Sequence, residues 1–325
     1  MKNTNKLKGS NVLITGGCGF IGLHLTQRLV DLGVKKITII DSLEYGKKEN
    51  LGDCLKQVKI IKHRIGSSND KLVLTKALKN VDYLFHLAAE KHSQSIDSPL
   101  KVVESNIAGT LKLFELAGQN KVKKVFFSSS IMVYKWKRGD SVPYSESKIP
   151  TPETVYGISK LAGEHFLKYC YKKYGLEFAI FRIFFAYGPK QFSGTGYKSV
   201  IVKNFERIID GQNPMVFGDG QQALDYIFVD DVTENIIRIM ESDYTNEVFN
   251  LGSSIPTTIN HIIDVMLKVA GKKLKKTHGP ADATDGTFRV ANISRIKSSL
   301  GLSPLTSLEQ GLQKTYDWIK NQKKL

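Results

Sequence analysis

Near its N-terminus the chain reads Val12-Leu13-Ile14-Thr15-Gly16-Gly17-Cys18-Gly19-Phe20-Ile21-Gly22, and this stretch decides the fold. The apolar start predicts a buried strand, and the glycines predict a tight turn that leads into a helix. We expect Gly16 to form the turn, Gly19 to let a ligand approach the backbone, and Gly22 to let the helix pack against the strand. The first amides of such a helix favour phosphate groups. The stretch therefore predicts a dinucleotide site.

Apolar runs and helical patterns alternate through the first half of the chain. The predicted strands are Asn11–Thr15, Ile37–Asp41, Val58–Ile61, Tyr83–Ala88, Lys124–Ser129 and Phe178–Phe184. Predicted helices between them include Phe20–Leu32, Pro99–Gly118 and Glu153–Tyr174. Regular alternation of this kind predicts an α/β fold built on a Rossmann-type, doubly wound parallel sheet.

The pattern loosens after about residue 185, where glycine and proline become frequent. Short strands are predicted at Met215–Phe217, Asp225–Val229 and Val248–Leu251. We therefore expect a Rossmann domain for the dinucleotide over residues 1–185 and a smaller α/β substrate lobe, mainly over residues 186–325. The chain is expected to return to the first domain near residues 225–252.

The composition restricts the partners and the setting. The 325 residues include 47 basic and 31 acidic side chains, a net charge of +16. The lysines are scattered and no nucleic-acid-binding motif accompanies them, so we expect a lysine-rich surface or a phosphorylated substrate and no nucleic acid. No apolar run is long enough for membrane insertion. Three cysteines without metal-ligand spacing favour a reduced, cytoplasmic setting and no bound metal.

Asp41 ends the second predicted strand, about 20 residues after the glycine turn. A carboxylate at this position accepts hydrogen bonds from the adenosine ribose and repels a 2′-phosphate. Ser42 follows it and no arginine is adjacent, so the pattern favours NAD over NADP. The alternative is a turn-forming aspartate at a strand end.

A tyrosine and a lysine stand four residues apart in Tyr156-Gly157-Ile158-Ser159-Lys160. On a helix they share one face. A nearby cation favours the phenolate, so we expect Lys160 to lower the pKa of Tyr156 toward the working pH. A phenol poised in this way takes a proton from a sugar hydroxyl while a nicotinamide takes the hydride. The pattern predicts redox chemistry on an alcohol.

With these residues the chain resembles the extended short-chain dehydrogenases/reductases of the nucleotide-sugar epimerase and dehydratase kind. The shared motifs span nearly the whole length: Thr15–Gly22, His86-Leu87-Ala88-Ala89, Asn106, Val133-Tyr134, Tyr156 with Lys160, Arg182, Tyr187-Gly188-Pro189, Gly218-Asp219-Gly220, Asp225-Tyr226 and Val229-Asp230-Asp231. The resemblance implies an NAD-dependent enzyme of carbohydrate biosynthesis that forms a homodimer and binds a nucleoside-diphosphate sugar.

The resemblance also implies roles for single residues. Ser130 would hydrogen-bond the reacting sugar oxygen and share its proton with Tyr156, and Lys160 would hold the nicotinamide ribose. The implied cofactor-binding residues are Gly16, Gly19, Phe20, Ile21, Gly22, Asp41, Ile65, Leu87, Ala88, Ala89, Asn106, Tyr156 and Lys160.

Two positions argue against dehydration. The 4,6-dehydratases of the family carry an Asp-Glu pair directly after the active-site Ser/Thr, and here those positions are Ile131 and Met132. Apolar side chains cannot move the protons that elimination requires. His92 is a candidate proton carrier and substrate contact, with a structural loop histidine as the alternative.

Substrate-side positions depart from the family pattern. An arginine that often clamps the diphosphate is Leu224 here, and the usual asparagine before Tyr-Gly-Pro is Phe185. Other cations are then needed for the diphosphate. The candidates are Lys198, Lys203, Arg207 and Arg289, each with a solvated surface charge as the alternative.

We therefore interpret the chain as an NAD-dependent nucleotide-sugar 4-epimerase that acts through a transient 4-keto sugar. A net 4-dehydrogenase or reductase, which releases or consumes the keto sugar, would use the same Ser130, Tyr156 and Lys160. A non-catalytic NAD-sensing or scaffolding protein is a third interpretation. The presence of all three catalytic residues argues against it.

Overall fold

The computed structural model describes residues 5–191, 198–301 and 305–323. The chain forms two compact units. The first holds the described residues up to Lys135 together with Ile149–Ile183 and Thr233–Phe249. The second holds Trp136–Lys148, Phe184–Val232 and the described residues from Asn250 onward.

Strands and helices of the described residues follow one another in an α/β order. The strands are β1 Asn11–Thr15, β2 Lys36–Asp41, β3 Val58–Lys62, β4 Tyr83–His86, β5 Lys124–Ser130, β6 Glu177–Ile183, β7 Phe185–Tyr187, β8 Met215–Phe217, β9 Ala223–Phe228, β10 Glu247–Leu251, β11 Pro256–Thr258, β12 Thr277–Gly279 and β13 Phe288–Arg289. The α-helices are α1 Phe20–Asp31, α2 Asp70–Leu78, α3 His92–Asp97, α4 Pro99–Val102, α5 Thr110–Gln119, α6 Val155–Tyr174, α7 Val200–Ile209, α8 Val229–Glu241, α9 Ile259–Ala270, α10 Ser294–Leu300 and α11 Leu308–Gln322. Shorter 3-10 segments cover Lys48–Gln57 and Ile131–Val133, and a π-helical segment covers Val103–Gly109.

A seven-stranded sheet is the centre of the first unit. Its strand order is β10-β6-β5-β4-β1-β2-β3, and every pairing from β3 to β6 is parallel. The predicted Rossmann-type sheet is confirmed. The order reverses between β1 and β4, and doubly wound sheets bind their ligands outside the strand ends at such a point.

Apolar strands explain why this sheet lies inside the protein. Leu13, Phe85, Phe126 and Ile180 have no exposed surface, and they come from four different strands. Helices cover both faces of a sheet of this kind, so its strands consist of nearly continuous apolar residues. The core therefore fixes the strand ends, which carry the candidate site.

Most predicted elements agree with the structure, but two were wrong in detail. The strand predicted to reach Ala88 ends at His86, and in the loop that follows, the side-chain amide of Asn106 is hydrogen-bonded to the backbone N–H and C=O of Glu90. The helix predicted over Pro99–Gly118 is interrupted by the π-helical segment that contains Asn106. Such segments often occur at functional sites.

The second unit has small sheets and its own apolar core. Strands β11, β9 and β13 form one sheet with β7 beside β9, and β12 pairs with β8. The core packs Phe205, Ile262, Met266 and Leu312 together. These elements carry Lys198, Lys203 and Arg289, which the sequence singles out as candidate cations.

The part of the chain that the structure describes has neither a metal-binding cluster nor a membrane-spanning helix. There, no group of three or more His, Cys, Asp or Glu side chains is arranged to hold a metal ion. No helix in those residues is long and apolar enough to cross a membrane. Cys18, Cys54 and Cys170 are buried and form no disulfide.

Replacing Gly22 tests the packing of α1 on the glycine turn. A Cβ on Gly22 would overlap the carbonyl oxygen of Gly16, so Gly22→Ala must push the helix away from the strand. We expect the free energy of unfolding in urea to fall by about 1–3 kcal/mol. Gly175→Ala is the control, since its methyl group enters open space at a left-handed residue and costs about 1–2 kcal/mol from the backbone alone. A smaller loss for Gly22→Ala than for the control would contradict this packing.

Candidate active site

A cavity of about 260 Å³ lies at the carboxyl ends of the first five strands. Nearly all the residues that the sequence assigns to a cofactor line it: Gly16, Gly19, Phe20, Ile21, Gly22, Asp41, Ile65, Leu87, Ala88, Ala89, Tyr156 and Lys160. Asn106 is absent from this lining. Residues more than 100 positions apart in the chain thus meet in one cavity.

The glycine turn shapes one wall of the cavity. Gly16 has a φ of +73°, and a Cβ on it would come within 2.7 Å of the Ala88 nitrogen. Helix α1 begins directly after the turn and has no side-chain cap. Its first residues line the cavity, so its uncapped N-terminus offers positive partial charge to an anion.

Asp41 lies in the same wall and is almost fully buried. Its carboxylate accepts hydrogen bonds from the backbone N–H of Cys18 and of Leu43, each at 2.9 Å. Burial raises the pKa of this carboxyl group. Each oxygen keeps a further lone pair for a ligand hydroxyl. Asp41 therefore both stabilises the turn at the end of β2 and lines the cavity.

Ser130, Tyr156 and Lys160 come together at the end of β5. Thr154 caps α6 by accepting a hydrogen bond from the Gly157 N–H at 3.0 Å, which positions the first turn of the helix. Lys160 donates from Nζ to the Ser128 carbonyl at 2.8 Å. The Ser130 hydroxyl lies close enough to the Tyr156 phenol to lower its pKa. Tyr156 and Lys160 line the cavity, whereas Ser130 is not among its lining residues.

The predicted effect of Lys160 on Tyr156 is wrong in this structure. Burial raises the pKa of Tyr156 to about 12, and the hydrogen bond with Ser130 offsets this only in part. Burial also lowers the pKa of Lys160 to about 7. Nζ lies 5.6 Å from the centre of the Tyr156 ring. Withdrawal from water therefore outweighs the attraction between ammonium and phenolate.

Two motif residues act behind the cavity wall. The His86 ring is hydrogen-bonded to Thr15 at 2.6 Å and to Thr110 at 2.9 Å, and burial lowers its pKa to about 3. Asn106 donates from Nδ2 to the Glu90 carbonyl at 3.0 Å, and its Oδ1 accepts from the Glu90 N–H at 2.8 Å. The His86 side chain thus fixes the end of β4, and the Asn106 side chain fixes the loop that follows it. Asn106 supports the cavity wall without lining the cavity.

Sequence reasoning missed a cluster over the cavity. The Tyr45 hydroxyl donates to Glu90 at 3.4 Å, and Lys101 lies 3.3 Å from the same carboxylate. The Lys91 ammonium stands 5.1 Å from the centre of the Tyr45 ring. These residues follow β2 and β4, which lie on either side of β1. Without the strand order, no pattern in the sequence brings them together.

His92 has a position that fits the predicted substrate role. Its ring centre lies 6.3 Å from that of Tyr156, edge to face, and the residue is exposed at the start of α3. The interaction joins the loop after β4 to the helix that carries Tyr156.

The candidate cations of the second unit differ in their environments. Lys198 forms an ion pair with Glu206 at 2.8 Å, and Lys203 is exposed on α7. Arg289 is only 8% exposed, and it donates to the Thr287 hydroxyl at 3.0 Å and the Ala283 carbonyl at 2.7 Å. Both of these partners are neutral, and burial lowers the pKa of Arg289. It is therefore a buried cation whose hydrogen bonds go to neutral groups.

Known proteins resemble this chain along most of its length. Residues 12–252 match the model of the NAD dependent epimerase/dehydratase family. The chain is 32% identical over 319 residues to UDP-glucuronate 4-epimerase of Thermodesulfobacterium geofontis, with 95% of each protein covered. It is similar to the structure of UDP-N-acetylglucosamine 4-epimerase from Methanobrevibacter ruminantium in complex with UDP-N-acetylmuramic acid, with 34% identity, a TM-score of 0.89 and coverage of 97% of this chain and 99% of that one. It is also similar to UDP-glucuronic acid 4-epimerase from Bacillus cereus, solved with UDP-glucuronic acid and NAD, with 28% identity, a TM-score of 0.85 and coverage of 96% and 99%.

The lowered pKa of Lys160 makes stability depend on pH. The folded protein releases this proton near pH 7, whereas the unfolded chain keeps it to about pH 10.5, so the contribution of Lys160 to the free energy of unfolding rises with pH between those values. Below about pH 7 both states hold the proton and the buried charge is most costly. We expect Lys160→Met to raise the thermal midpoint most at pH 6 and least at pH 10, as measured by circular dichroism.

The control for this measurement is Lys168→Met, which replaces an exposed lysine of the same helix. Its thermal midpoint should follow that of the unmodified protein at every pH. A Lys160→Met difference that does not change between pH 6 and pH 10 would show that the lysine is not desolvated.

Proposed function

This chain belongs to the NAD-dependent epimerase/dehydratase family, and within it we propose a UDP-sugar 4-epimerase that acts through a transient 4-keto sugar. The observation that carries the proposal is the presence of Tyr156 and Lys160 in the cavity lining, with Ser130 beside the Tyr156 phenol. The relatives described above, which are UDP-sugar 4-epimerases, support the choice of substrate class.

NAD is the cofactor of this enzyme, and the cavity fits it. The close approach of Gly16 to Ala88 keeps the wall free of side chains where a pyrophosphate must reach the backbone. Asp41 supplies a carboxylate for ribose hydroxyls at the other side of the turn. NAD held by these residues would supply hydride transfer to and from the sugar.

The side chains of this protein supply the proton transfers. We assign to Tyr156 the removal of the proton from the C4 hydroxyl and its later return to the same oxygen. Ser130, bonded to the phenol, orients that oxygen. Lys160, held by the Ser128 carbonyl, places its amine beside the ring and, when protonated, favours the phenolate. Positioning of these groups supplies most of the catalysis.

Epimerisation fits better than dehydration because of the segment that follows Ser130. Ile131 is buried and Met132 is partly buried in the short 3-10 segment after β5, and neither carries an ionisable group. Elimination of water requires an acid and a base at the sugar. Without them the 4-keto intermediate cannot lose water, so it either takes the hydride back, which gives the epimer, or leaves as the keto sugar.

In the second unit we assign the substrate diphosphate to Arg289. Its hydrogen bonds go to neutral groups, and the Asp282 carboxylate acts on it only through its charge, so a phosphate would supply a hydrogen-bonded anion. Lys198 is less suited because Glu206 already neutralises it. We keep Lys203 as a weaker candidate, and we assign to His92 a contact with the sugar near Tyr156.

We further propose a homodimer that uses the outer surface of α3, α4 and α6. Ile96 is 72% exposed, Leu100 is 76% exposed and Ile158 is 48% exposed. Exposed apolar residues that group on neighbouring helices mark interaction surfaces.

Replacing Tyr156 with phenylalanine tests the mechanism. With UDP-glucose, UDP-N-acetylglucosamine and UDP-glucuronate as substrates, we expect the unmodified enzyme to invert C4 without net formation of NADH. Tyr156→Phe should lower kcat by at least about 100-fold, because it removes the general base, while bound NAD remains. The products are followed by NMR and the cofactor by absorbance.

The matched control is Tyr169→Phe, an exposed tyrosine on the same helix, which should keep the wild-type kcat. Lasting NADH together with a keto product would instead identify a net dehydrogenase. Unchanged turnover by Tyr156→Phe would refute the assignment of the base.

Replacing Arg289 tests the assignment of the diphosphate. Arg289→Met should raise the Kd for UDP, measured by calorimetry, by about 10-fold to 100-fold, because a hydrogen bond to a charged group is worth about 1.5–3 kcal/mol. Lys198→Met should have a much smaller effect, since its charge is already paired. Equal effects of the two substitutions would contradict a special role for Arg289.

A further inference from the structure

A buried hydrogen-bond network lies behind the turn that follows β5. The Glu164 carboxylate accepts from the Ser129 hydroxyl at 2.6 Å and from Arg182 Nε at 2.9 Å and Nη2 at 2.7 Å. Arg182 Nη1 donates to the Tyr134 hydroxyl at 2.8 Å. The guanidinium also lies 5.0 Å from the centre of the Tyr134 ring. Four side chains thus join β5, α6, β6 and the segment after β5.

Every member of this network is almost fully buried. A buried ion pair is weak evidence for stability, because the cost of removing two charges from water offsets their attraction, and apolar residues of the same volume often serve as well. Such a pair does fix the relative orientation of its two side chains, since a guanidinium meets a carboxylate through two parallel hydrogen bonds. The geometry of the network therefore matters more than its contribution to stability.

Two members of the network lie close in the chain to proposed catalytic residues. Ser129 precedes Ser130 in β5, and Glu164 follows Lys160 by one turn of α6. Between Ser130 and Tyr134 the chain makes the 3-10 segment, in which the Ser130 hydroxyl accepts from the Met132 N–H at 3.2 Å. The network therefore holds both ends of the turn that carries Ser130, and it ties that turn to the helix of Tyr156 and Lys160.

From this placement we infer that Glu164 and Arg182 are positioning residues for the reaction, an inference that rests on the proposed function. Neither of them is among the residues that line the cavity. They set the spacing between the end of β5 and helix α6, so that the Ser130 hydroxyl meets the Tyr156 phenol and Lys160 reaches the Ser128 carbonyl.

The test shortens the carboxylate while keeping its charge. Glu164→Asp lacks one methylene, so it cannot hold Ser129 and both nitrogens of Arg182 at once. We expect kcat to fall at least about tenfold, with KM for the UDP-sugar within about twofold and bound NAD retained. Amide hydrogen exchange of the NAD-bound protein should be severalfold faster in peptides that cover residues 128–135.

A second variant separates positioning from charge balance. Glu164→Gln combined with Arg182→Gln removes both buried charges and keeps polar side chains in place. If the pair served only to balance charge, this double variant would restore the wild-type kcat, and the inference would be overturned. If the two residues act by positioning, the kcat of the double variant stays low, because neutral amides do not reproduce the two parallel hydrogen bonds between guanidinium and carboxylate.

The matched control is Glu115→Asp, which shortens an exposed carboxylate that accepts from Lys173 near the far end of α6 at 3.0 Å. Its kcat and its exchange over residues 128–135 should equal those of the unmodified protein. A merely structural role for Glu164 would lower the thermal midpoint of Glu164→Asp and leave the kcat of the folded enzyme unchanged, and that result would also overturn the inference.

The exchange measurement keeps this inference separate from the proposed function. If the unmodified protein turns over none of the UDP-sugars, the proposed function fails, but exchange still decides whether Glu164 holds residues 128–135. Wild-type exchange in Glu164→Asp would end the positioning role even in an active enzyme.

Discussion

Gly16 lies so close to the Ala88 backbone that a side chain on it would overlap the start of the loop after β4. This contact joins the ends of β1 and β4, the two strands between which the order of the sheet reverses. The glycine turn, the loop after β4 and the start of α1 all take their places around it. A larger residue at Gly16 would separate the strand ends and fill the cavity, so the cofactor site depends on this close approach.

Withdrawal from water governs the titratable groups around this contact. His86 stacks on the Phe127 ring with 5.6 Å between centres, and the Lys160 ammonium lies 5.1 Å from the centre of the same ring. Burial lowers the pKa of both groups and raises that of Tyr156. The proton affinities of the site are therefore set by how far each group lies from water, and the neighbouring charge changes them less.

Two positions of the second unit make apolar contacts. Leu224 is buried in β9, and the Phe185 ring packs 5.8 Å from that of Tyr226. Arg289 keeps a buried positive charge whose hydrogen bonds go to neutral groups, which makes it the residue on which our assignment of the diphosphate rests.

The sequence alone determined the strands and helices, the Rossmann-type sheet and nearly all of the cavity lining, because glycine spacing and apolar periodicity are local consequences of backbone geometry. The position of the Asn106 amide, the contact between Tyr45 and Glu90, and the raised pKa of Tyr156 all depend on the three-dimensional fold. It alone also brought Glu164 and Arg182 together behind Ser130. These features depend on strand order and on the depth of burial. A linear pattern contains neither, because both arise from packing between residues far apart in the chain.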